Sequence, residues 1–205
     1  MTRERRLRTH MKGLAKGAGG GSLVAPRTGR WAQLATIDGH IDFIYALLVS
    51  EPSAFRWLYR AGHPSRAGLE SNLREDGHVN FVVQERRLGT PVGFVVMHGR
   101  HATPATGIVS AVFLPSVRQT GLAIEGIALF ILYLFTVYAY HKVYFEVFGS
   151  DISSVRTALE SGLVQEEGRL RNHCYRNGLW EDKVVLALYR STFESWFLEL
   201  ENVQY

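Results

Sequence analysis

The chain has 205 residues, of which 46% are hydrophobic, 12% aromatic and 20% charged. This length and apolar content suit one domain with a single core and exclude general disorder. Cys174 is the only cysteine, so no internal disulfide can form, and no cluster of Cys and His has zinc-finger spacing. The composition therefore excludes disulfide-rich secreted scaffolds and structural zinc proteins, and we expect a reducing, cytoplasmic location.

The positive charge is concentrated near the N-terminus. Residues 1–22 hold six Lys and Arg side chains against Glu4 alone, whereas the whole chain has a formal net charge of +4, so residues 23–205 are close to neutral. Gly17–Ser22 (GAGGGS) is typical of a flexible linker, and no apolar signal-peptide core follows the basic residues. We expect a disordered basic, Gly-rich tail at 1–22 and a single domain at 23–205. Contact of the tail with nucleic acid is not favoured over a solvated tail.

The periodicity of the remaining chain predicts a mixed α/β fold, because helical patterns and alternating, β-rich patterns follow one another. Asp38 and Asp151 are the expected N-caps of two helices, and Gly162 is expected just after the end of one. The predicted elements, in chain order, are a strand at Leu23–Thr28, helices at Asp38–Val49 and Pro64–Glu75, strands at His78–Glu85, Pro91–His98 and Thr106–Leu114, a helix from Gly121 to about Tyr140, a strand at Lys142–Phe148, a helix at Asp151–Ser161, and strands at Leu163–Arg171 and Lys183–Arg190.

Residues 126–140 (GIALFILYLFTVYAY) form an almost wholly apolar run. The run is shorter than the ~20 residues that a bilayer crossing needs. A short helix that is apolar on all sides is more often buried in a core than inserted in lipid, so we expect a buried helix and no membrane span. Contact of this helix with an acyl chain longer than acetyl stays open.

The turn between the strand at 106–114 and the apolar helix carries the strongest chemical signal. The first amides of a helix have no intrahelical acceptor and lie at its positive end, where phosphate groups bind. Gly121 and the small Ala123 would let an anion approach the backbone, and Arg118 adds a charged donor. The turn is neither a P-loop nor a dinucleotide-binding fingerprint, since it has no Gly-Lys-Ser/Thr and no G-x-G-x-x-G.

Arg118-x-x-Gly121-x-Ala123 resembles the R/Q-x-x-G-x-G/A signature of the GNAT acyl-CoA N-acyltransferase superfamily. The run from Glu146 to Arg156, and the pair Glu167-Gly168, resemble the ribosomal-protein-alanine acetyltransferase branch most closely. The resemblance covers about residues 23–195. It implies a GNAT-type mixed α/β sheet of about seven strands, splayed at its centre and flanked by about four helices, and it implies acetyl-CoA or another acyl-CoA as co-substrate.

The resemblance also implies a binding site for the acyl-CoA, in which the pyrophosphate lies at the helix start and the pantetheine arm lies in the splay. Gln119 stands where the family often has Gly, and Asp151 replaces the Asn that contacts the pantetheine arm. An ionised Asp accepts hydrogen bonds but does not donate them, which could weaken binding or change the donor. The implied acyl-CoA contacts are Ala111, Val112, Phe113, Arg118, Gln119, Thr120, Gly121, Leu122, Ala123, Asp151 and Ser154.

Ala158 stands where many superfamily members place a general-acid Tyr, so another acid is needed for the thiolate. Ser154 is the candidate by resemblance, although a hydroxyl at a helix start equally often bonds the backbone. Glu146 is the leading candidate base, because a carboxylate in the apolar strand YFEVF would have a raised pKa; a solvent-facing strand residue is the alternative. His98 is the second candidate base, and Cys174 is expected to be inert.

The sequence thus predicts an enzyme that moves an acyl group, by direct attack in a ternary complex, from acyl-CoA to a primary amine of a small molecule or peptide. No metal is expected, and a monomer or a homodimer is expected. Two alternatives stay open. One is acyl transfer from aminoacyl-tRNA in specialised metabolism, motivated by the basic tail and Asp151; the other is a non-catalytic module that binds acyl-CoA.

Overall fold

The computed structural model describes residues 28–50, 65–75, 78–101, 106–118, 120–176 and 178–202. These residues form one seven-stranded sheet and five α-helices, the mixed α/β architecture that the sequence predicts. The strands are β1 (Ala32–Ala35), β2 (Val79–Glu85), β3 (Pro91–His101), β4 (Thr106–Phe113), β5 (Lys142–Phe148), β6 (Gln165–Arg176) and β7 (Leu179–Tyr189). The α-helices are α1 (Ile41–Val49), α2 (Arg66–Leu73), α3 (Gly121–Val137), α4 (Arg156–Glu160) and α5 (Arg190–Asn202).

The order of the strands across the sheet is β1-β2-β3-β4-β5-β7-β6. Neighbouring strands are antiparallel except β4 and β5, which run in the same direction. Parallel neighbours need a crossover connection, and α3 with its preceding turn is that connection. The start of α3 therefore lies just beyond the C-terminal end of β4, in the centre of the sheet.

The two faces of the sheet have separate apolar cores. On the face that we call the front, α1 and α2 cover β2 and β3, and alternate residues such as Val82, Phe94 and Val96 are buried against them. On the opposite, back face, a larger core contains most of α3 and Phe193 of α5, and α4 packs against its edge. Strands with both faces covered are apolar at successive positions, which explains the unbroken buried run from Val92 to Met97.

The apolar run of the sequence is α3, a 17-residue helix that is buried along most of its length, as predicted. Its close contact with the sheet depends on Gly126, where a Cβ would lie 2.6 Å from Cγ1 of Val83. At its C-terminal end, Arg190 donates hydrogen bonds to the carbonyl of Phe135 in the last turn and to the carbonyls of Tyr138 and Tyr140 just beyond it. Within the described residues, no helix combines the length and hydrophobicity that a bilayer crossing requires.

The carboxylate of Glu125, in the second turn of α3, fixes the start of β1. It accepts hydrogen bonds from the backbone N–H groups of Arg30, Trp31 and Ala32 at 2.7–2.8 Å. Gly29 must be glycine for this contact, since a Cβ there would lie 2.5 Å from the Glu125 carboxyl carbon. One charged side chain thus joins the long helix to the short outer strand.

Several predicted boundaries need correction. Asp38 is not an N-cap: α1 begins after His40, and the Asp38 carboxylate instead accepts from Arg74 at 2.8 Å. Asp151 is not an N-cap either, because it lies inside a 3₁₀ helix, Gly149–Val155, that precedes α4. Gly162 does follow the end of α4 with a φ of 72°, as expected. The predicted strand Leu23–Thr28 falls outside the described residues except for Thr28, and β1 and α5 were not predicted.

Candidate functional site

The parallel strands β4 and β5 are paired at one position only, Ile108 with Tyr144. Beyond that pair the two strands separate, so residues 109–113 of β4 have no partner strand on that side. β5 by contrast pairs with β7 along its whole length, from Lys142 to Phe148. The sheet is therefore open at its centre, which is the splay that the sequence resemblance implies.

A cavity of about 330 Å³ fills this opening. Its lining divides by the alternation of the strands into two halves, because successive side chains point to opposite faces. The back half is lined by Val109, Phe113, Arg118, Ile127, Phe145 and Val147, most of which pack in or against the back core. The exposed Ala111 lies on the back side with Val109 and Phe113, and the front half is lined by Phe94, Val96, Ser110, Val112, Glu146 and Phe148.

The start of α3 lies beside the back half of the cavity. Thr120 is the N-cap, but its hydroxyl donates to the carbonyl of Val117 at 2.7 Å and does not cap the helix. The first helical hydrogen bond runs from Ile124 to Thr120, so the amides of residues 121–123 point out of the helix. Arg118 donates from Nε to the carbonyl of Phe113 at 2.9 Å, which fixes its side chain at the end of β4.

Thr120, Gly121, Leu122 and Ala123 thus all lie at the helix start, as predicted, with Ala123 buried and Gly121 exposed. The ring of Trp31 lies against Gly121, at 3.4 Å from the place of a Cβ. Gln119 lies outside the described residues. The turn can present backbone donors and a guanidinium to an anion, because a helix start and an arginine fork favour the same negative group.

Glu146 lines the front half of the cavity, but its surroundings differ from the apolar strand that the sequence suggested. Its Oε2 accepts a hydrogen bond from Nζ of Lys183 on β7 at 3.0 Å, and both side chains are 19% exposed. The Glu146 carboxylate is therefore paired with an ammonium across the two strands. Sequence reasoning missed Lys183, since the pairing of β5 with β7 that brings it close is not visible in the order of the residues.

His98 lies on β3 beside the cavity and does not line it. Its Nε2 is 3.0 Å from Oγ of Ser110, whose side chain does line the front half. The two residues therefore form a polar link from the strand to the opening. Ser110 was not among the predicted residues; its position in β4, one residue before the Ala111–Phe113 stretch, is the signal that could have identified it.

Asp151 and Ser154 lie in the 3₁₀ helix after β5, and neither lines the cavity. Oγ of Ser154 donates to the carbonyl of Asp151 at 2.7 Å, the backbone bond that was the alternative to a catalytic role. The Asp151 carboxylate accepts two bonds from Arg176, at 2.7 and 3.2 Å. Asp151 is thus engaged with an arginine of β6 in this structure.

Arg176 joins three elements around the front half of the cavity. Besides Asp151 it donates to Glu181 on β7 at 2.9 and 3.3 Å and contacts Ser150, and its guanidinium lies 4.3 Å from the ring centre of Phe148. These carboxylates raise the pKa of Arg176, and the arginine lowers the pKa of Glu181. The network holds Phe148 against the cavity, a role that the sequence did not reveal.

Cys174 lies near this network, and burial raises the pKa of its thiol. At neutral pH the thiol is protonated and a weak nucleophile, in agreement with the inert interpretation. Among the described residues, no group of three or more His, Cys, Asp and Glu side chains could hold a metal ion.

Comparisons with known proteins identify the fold. No protein-family model and no curated protein sequence matches the chain. Among solved structures, spermidine N-acetyltransferase from Vibrio cholerae in complex with CoA and spermine matches with a TM-score of 0.69 at 21% identity, over 80% of this chain and 98% of that one. A chimera of that enzyme with hSSAT matches with a TM-score of 0.68 at 20% identity, over 80% and 98%. The chain therefore has the GNAT-type fold of these acetyltransferases, which confirms the fold class expected from the sequence.

Proposed function

We propose that the protein is an N-acyltransferase that moves an acyl group, acetyl in the simplest case, from acyl-CoA to a primary amine. The observation that carries this proposal is the central opening of the sheet, where parallel strands part after one residue pair and a cavity extends between the two faces. Fold alone does not establish an activity, so the proposal rests on the opening, on the helix start beside it and on the polar groups around it.

The back half of the cavity and the start of α3 suit the donor. The amides of residues 121–123 and Arg118 would bind the diphosphate, and the unpaired edge of β4 at Ala111, Val112 and Phe113 would bind the pantetheine arm. A β4 amide at this edge would also donate to the thioester oxygen as it gains negative charge. The solved neighbour that contains CoA supports this donor. Of the two motives for aminoacyl-tRNA as the donor, the basic tail lies outside the described residues and Asp151 is engaged with Arg176.

The reaction needs a neutral amine at the front face of the thioester. The amine nitrogen attacks the carbonyl carbon, the C–S bond breaks, and the thiolate takes up a proton as it leaves. Glu146 is the proposed acceptor of the amine proton, because it is the carboxylate that lines the cavity; His98, acting through Ser110, is the second candidate. Ser154 stays a prediction as the proton donor to the thiolate, and it would have to give up its bond to Asp151 to act.

The acceptor is an amine of a small molecule or of a peptide. The neighbouring enzymes are spermidine N-acetyltransferases, whereas the sequence resembles the branch that acetylates a ribosomal-protein alanine. The solved neighbours thus favour a small amine as the acceptor, and the sequence resemblance alone favours a protein N-terminus. Both acceptors share the chemistry of a primary amine that must lose a proton before or during attack.

The donor half of the proposal is tested by filling the opening. Ala111→Trp would place an indole in the cavity, because Ala111 is exposed and lines it. We expect acetyl-CoA to bind the unmodified protein in isothermal titration calorimetry and to bind Ala111→Trp at least tenfold more weakly. Release of the CoA thiol on addition of amines, followed with a thiol reagent, measures transfer.

Thr90→Trp is the matched control, because it adds the same side chain at an exposed turn between β2 and β3. It should bind acetyl-CoA as the unmodified protein does, and circular dichroism should show both variants folded. Absence of acetyl-CoA binding to the unmodified protein, at concentrations up to the millimolar range, would contradict the proposed function.

A further inference from the structure

The front half of the cavity, where the acceptor amine would enter, is mostly apolar. Val112 and Phe148 line it with partly exposed side chains, and Phe94 and Val96 lie behind them, fully buried in the core beneath α1. Its polar groups among the described residues are Ser110 and Glu146. An apolar wall of this kind contributes affinity for an apolar body and none for a charged one, because burying an unpaired charge is unfavourable.

The one carboxylate in this half of the cavity, among the described residues, is already paired with a cation. Glu146 accepts from Lys183 at 3.0 Å, and each side chain is 19% exposed. If Glu146 turned to bind an ammonium of the acceptor, Lys183 would lose its partner in a poorly solvated place. Removing one partner of such a pair leaves an uncompensated charge, which opposes binding of a second cation.

The carboxylates nearest to Phe148 are paired as well. Asp151 and Glu181 both accept from Arg176, whose side chain is 17% exposed. On and just before the helices that cover the front face, Asp42 pairs with Arg66 and Asp38 with Arg74. The described part of this face therefore offers no unengaged cluster of negative charge of the kind that a polycation would need.

An aromatic ring could also bind an ammonium, but the ring of Phe148 already has a cation on it. The guanidinium of Arg176 lies 4.3 Å from the ring centre and is held there by two carboxylates. A second cation would have to share the ring with Arg176 and be repelled by it. The remaining aromatic side chain of this half, Phe94, is fully buried.

Resting on the proposed function, we propose that the acceptor is a primary amine attached to an uncharged, apolar body, and that polyamines are poor acceptors. The reacting nitrogen is the one polar group of the acceptor that the front half accommodates, beside Glu146 and Ser110. This separates the chain from the neighbour solved with spermine, although the two share a fold at 21% identity. Specificity arises here because an apolar acceptor buries its body against the apolar wall, whereas a polyamine leaves a cation unpaired there.

The test compares two acceptors with the full chain and acetyl-CoA. We expect kcat/KM for 2-phenylethylamine to exceed that for spermidine at least tenfold. Lys183→Ala frees the Glu146 carboxylate and should lower this ratio at least fivefold, whereas Lys183→Arg keeps a cation beside Glu146 and should preserve it. Because the ratio is taken within each variant, a general effect on the chemistry cancels.

Preference for spermidine by the unmodified protein, or an unchanged ratio in Lys183→Ala, would overturn the inference while leaving the acyltransferase proposal intact. If acetyl-CoA binds but neither amine reacts, the melting temperature of the CoA complex is measured with each amine. 2-Phenylethylamine should raise this temperature and spermidine should not. No rise with 2-phenylethylamine would overturn the inference. Failure of the proposed function is distinguishable, because acetyl-CoA itself would then not bind.

Discussion

The two halves of the sheet differ in how their faces are covered. In β2 and β3, helices cover both faces, so the run from Val92 to Met97 is buried without interruption. In β5 and β7, apolar residues such as Val143, Val184 and Leu186 face the back core, while the front face carries paired charges. The cavity lies where these two halves meet.

Because of this difference, one half of the sheet contributes mainly to stability and the other mainly to the proposed site. The doubly covered half buries apolar area, which is the main favourable term in folding. On the front face of the other half, the described residues form ion pairs, each worth little when partly exposed. Those pairs nevertheless place Glu146 and Phe148 at the opening. Strands β2 and β3, covered on both faces, thus supply a rigid wall of the site. Strands β5 and β7, with ion pairs on their front face, supply a charged wall.

The largest effect is expected in the doubly covered half. Phe81 on β2 is 4% exposed and packs edge-to-face on Phe130 and Tyr133 of α3. Phe81→Ala removes a buried ring and leaves a cavity, so we expect the free energy of unfolding to fall by about 3–5 kcal/mol. Urea unfolding followed by circular dichroism measures it.

Tyr175→Ala is the matched change in the other half, because Tyr175 is 51% exposed and contacts Trp180 near the end of the β6–β7 hairpin. It should cost less than about 1 kcal/mol. Similar losses for the two variants would show that the halves contribute equally, contrary to the comparison.

The same contrast explains how much of the fold the sequence predicts. Lys142–Phe148 is predicted to the residue, and β2 and β4 to within one, because apolar runs end at clear turn residues such as Pro115. β6 and β7 were predicted too short, since their outer ends are exposed and carry no apolar pattern. The strand β1 has four residues, and its position depends on Glu125, which is 93 residues away from Ala32. Such a contact leaves no local signal.

For the candidate site, too, local patterns were predictable from the sequence and long-range contacts were not. The helix start and the β4 residues were predicted because a strand, a turn and an apolar helix succeed one another in the sequence. In the structure the β4 residues and Arg118 line the opening, and the helix start lies beside it. Lys183 and Arg176 were missed because their partners lie on other elements of the fold, whereas the position of Ser110 beside Ala111 could have identified it. The expectation of an apolar environment for Glu146 failed because its neighbours along β5 are apolar, but its hydrogen-bond partner, Lys183, is on β7.

Removal of Arg176 tests the charged wall formed by β5 and β7 directly. Arg176→Ala leaves Asp151 and Glu181 close together without a cation, so we expect a loss of about 1–2 kcal/mol of unfolding free energy and a higher KM for the amine, because Phe148 loses its support. Adding Glu181→Gln to Arg176→Ala removes one of the two charges and should restore part of the stability but not the KM. A stability loss as large as that of Phe81→Ala would contradict the division of the sheet.

The smallest effect concerns Glu167, which accepts from Lys142, Tyr144 and Tyr189 on β5 and β7. Hydrogen bonds from Lys142 first, and then from Tyr189, lower the pKa of Glu167 below its ordinary 4.5. Because the folded carboxylate binds its proton less tightly than the unfolded one, its contribution to stability is present above pH 4.5 and is lost as the pH falls through the folded value.

Glu167→Gln removes this titration and should cost about 1 kcal/mol at pH 7, since the side chains of Lys142 and Glu167 are 18% and 26% exposed. Thermal unfolding between about pH 7 and about pH 3.5 should then show a smaller drop in Tm for Glu167→Gln than for the unmodified protein, so that the two curves converge in acid. Glu166→Gln is the control, because it removes a carboxylate of the same strand whose partner, Arg169, is as exposed as Glu166 itself, at 38% each, where ion pairs contribute little. Parallel curves for Glu167→Gln and the unmodified protein would mean that the paired charges of this half contribute nothing that depends on their ionisation.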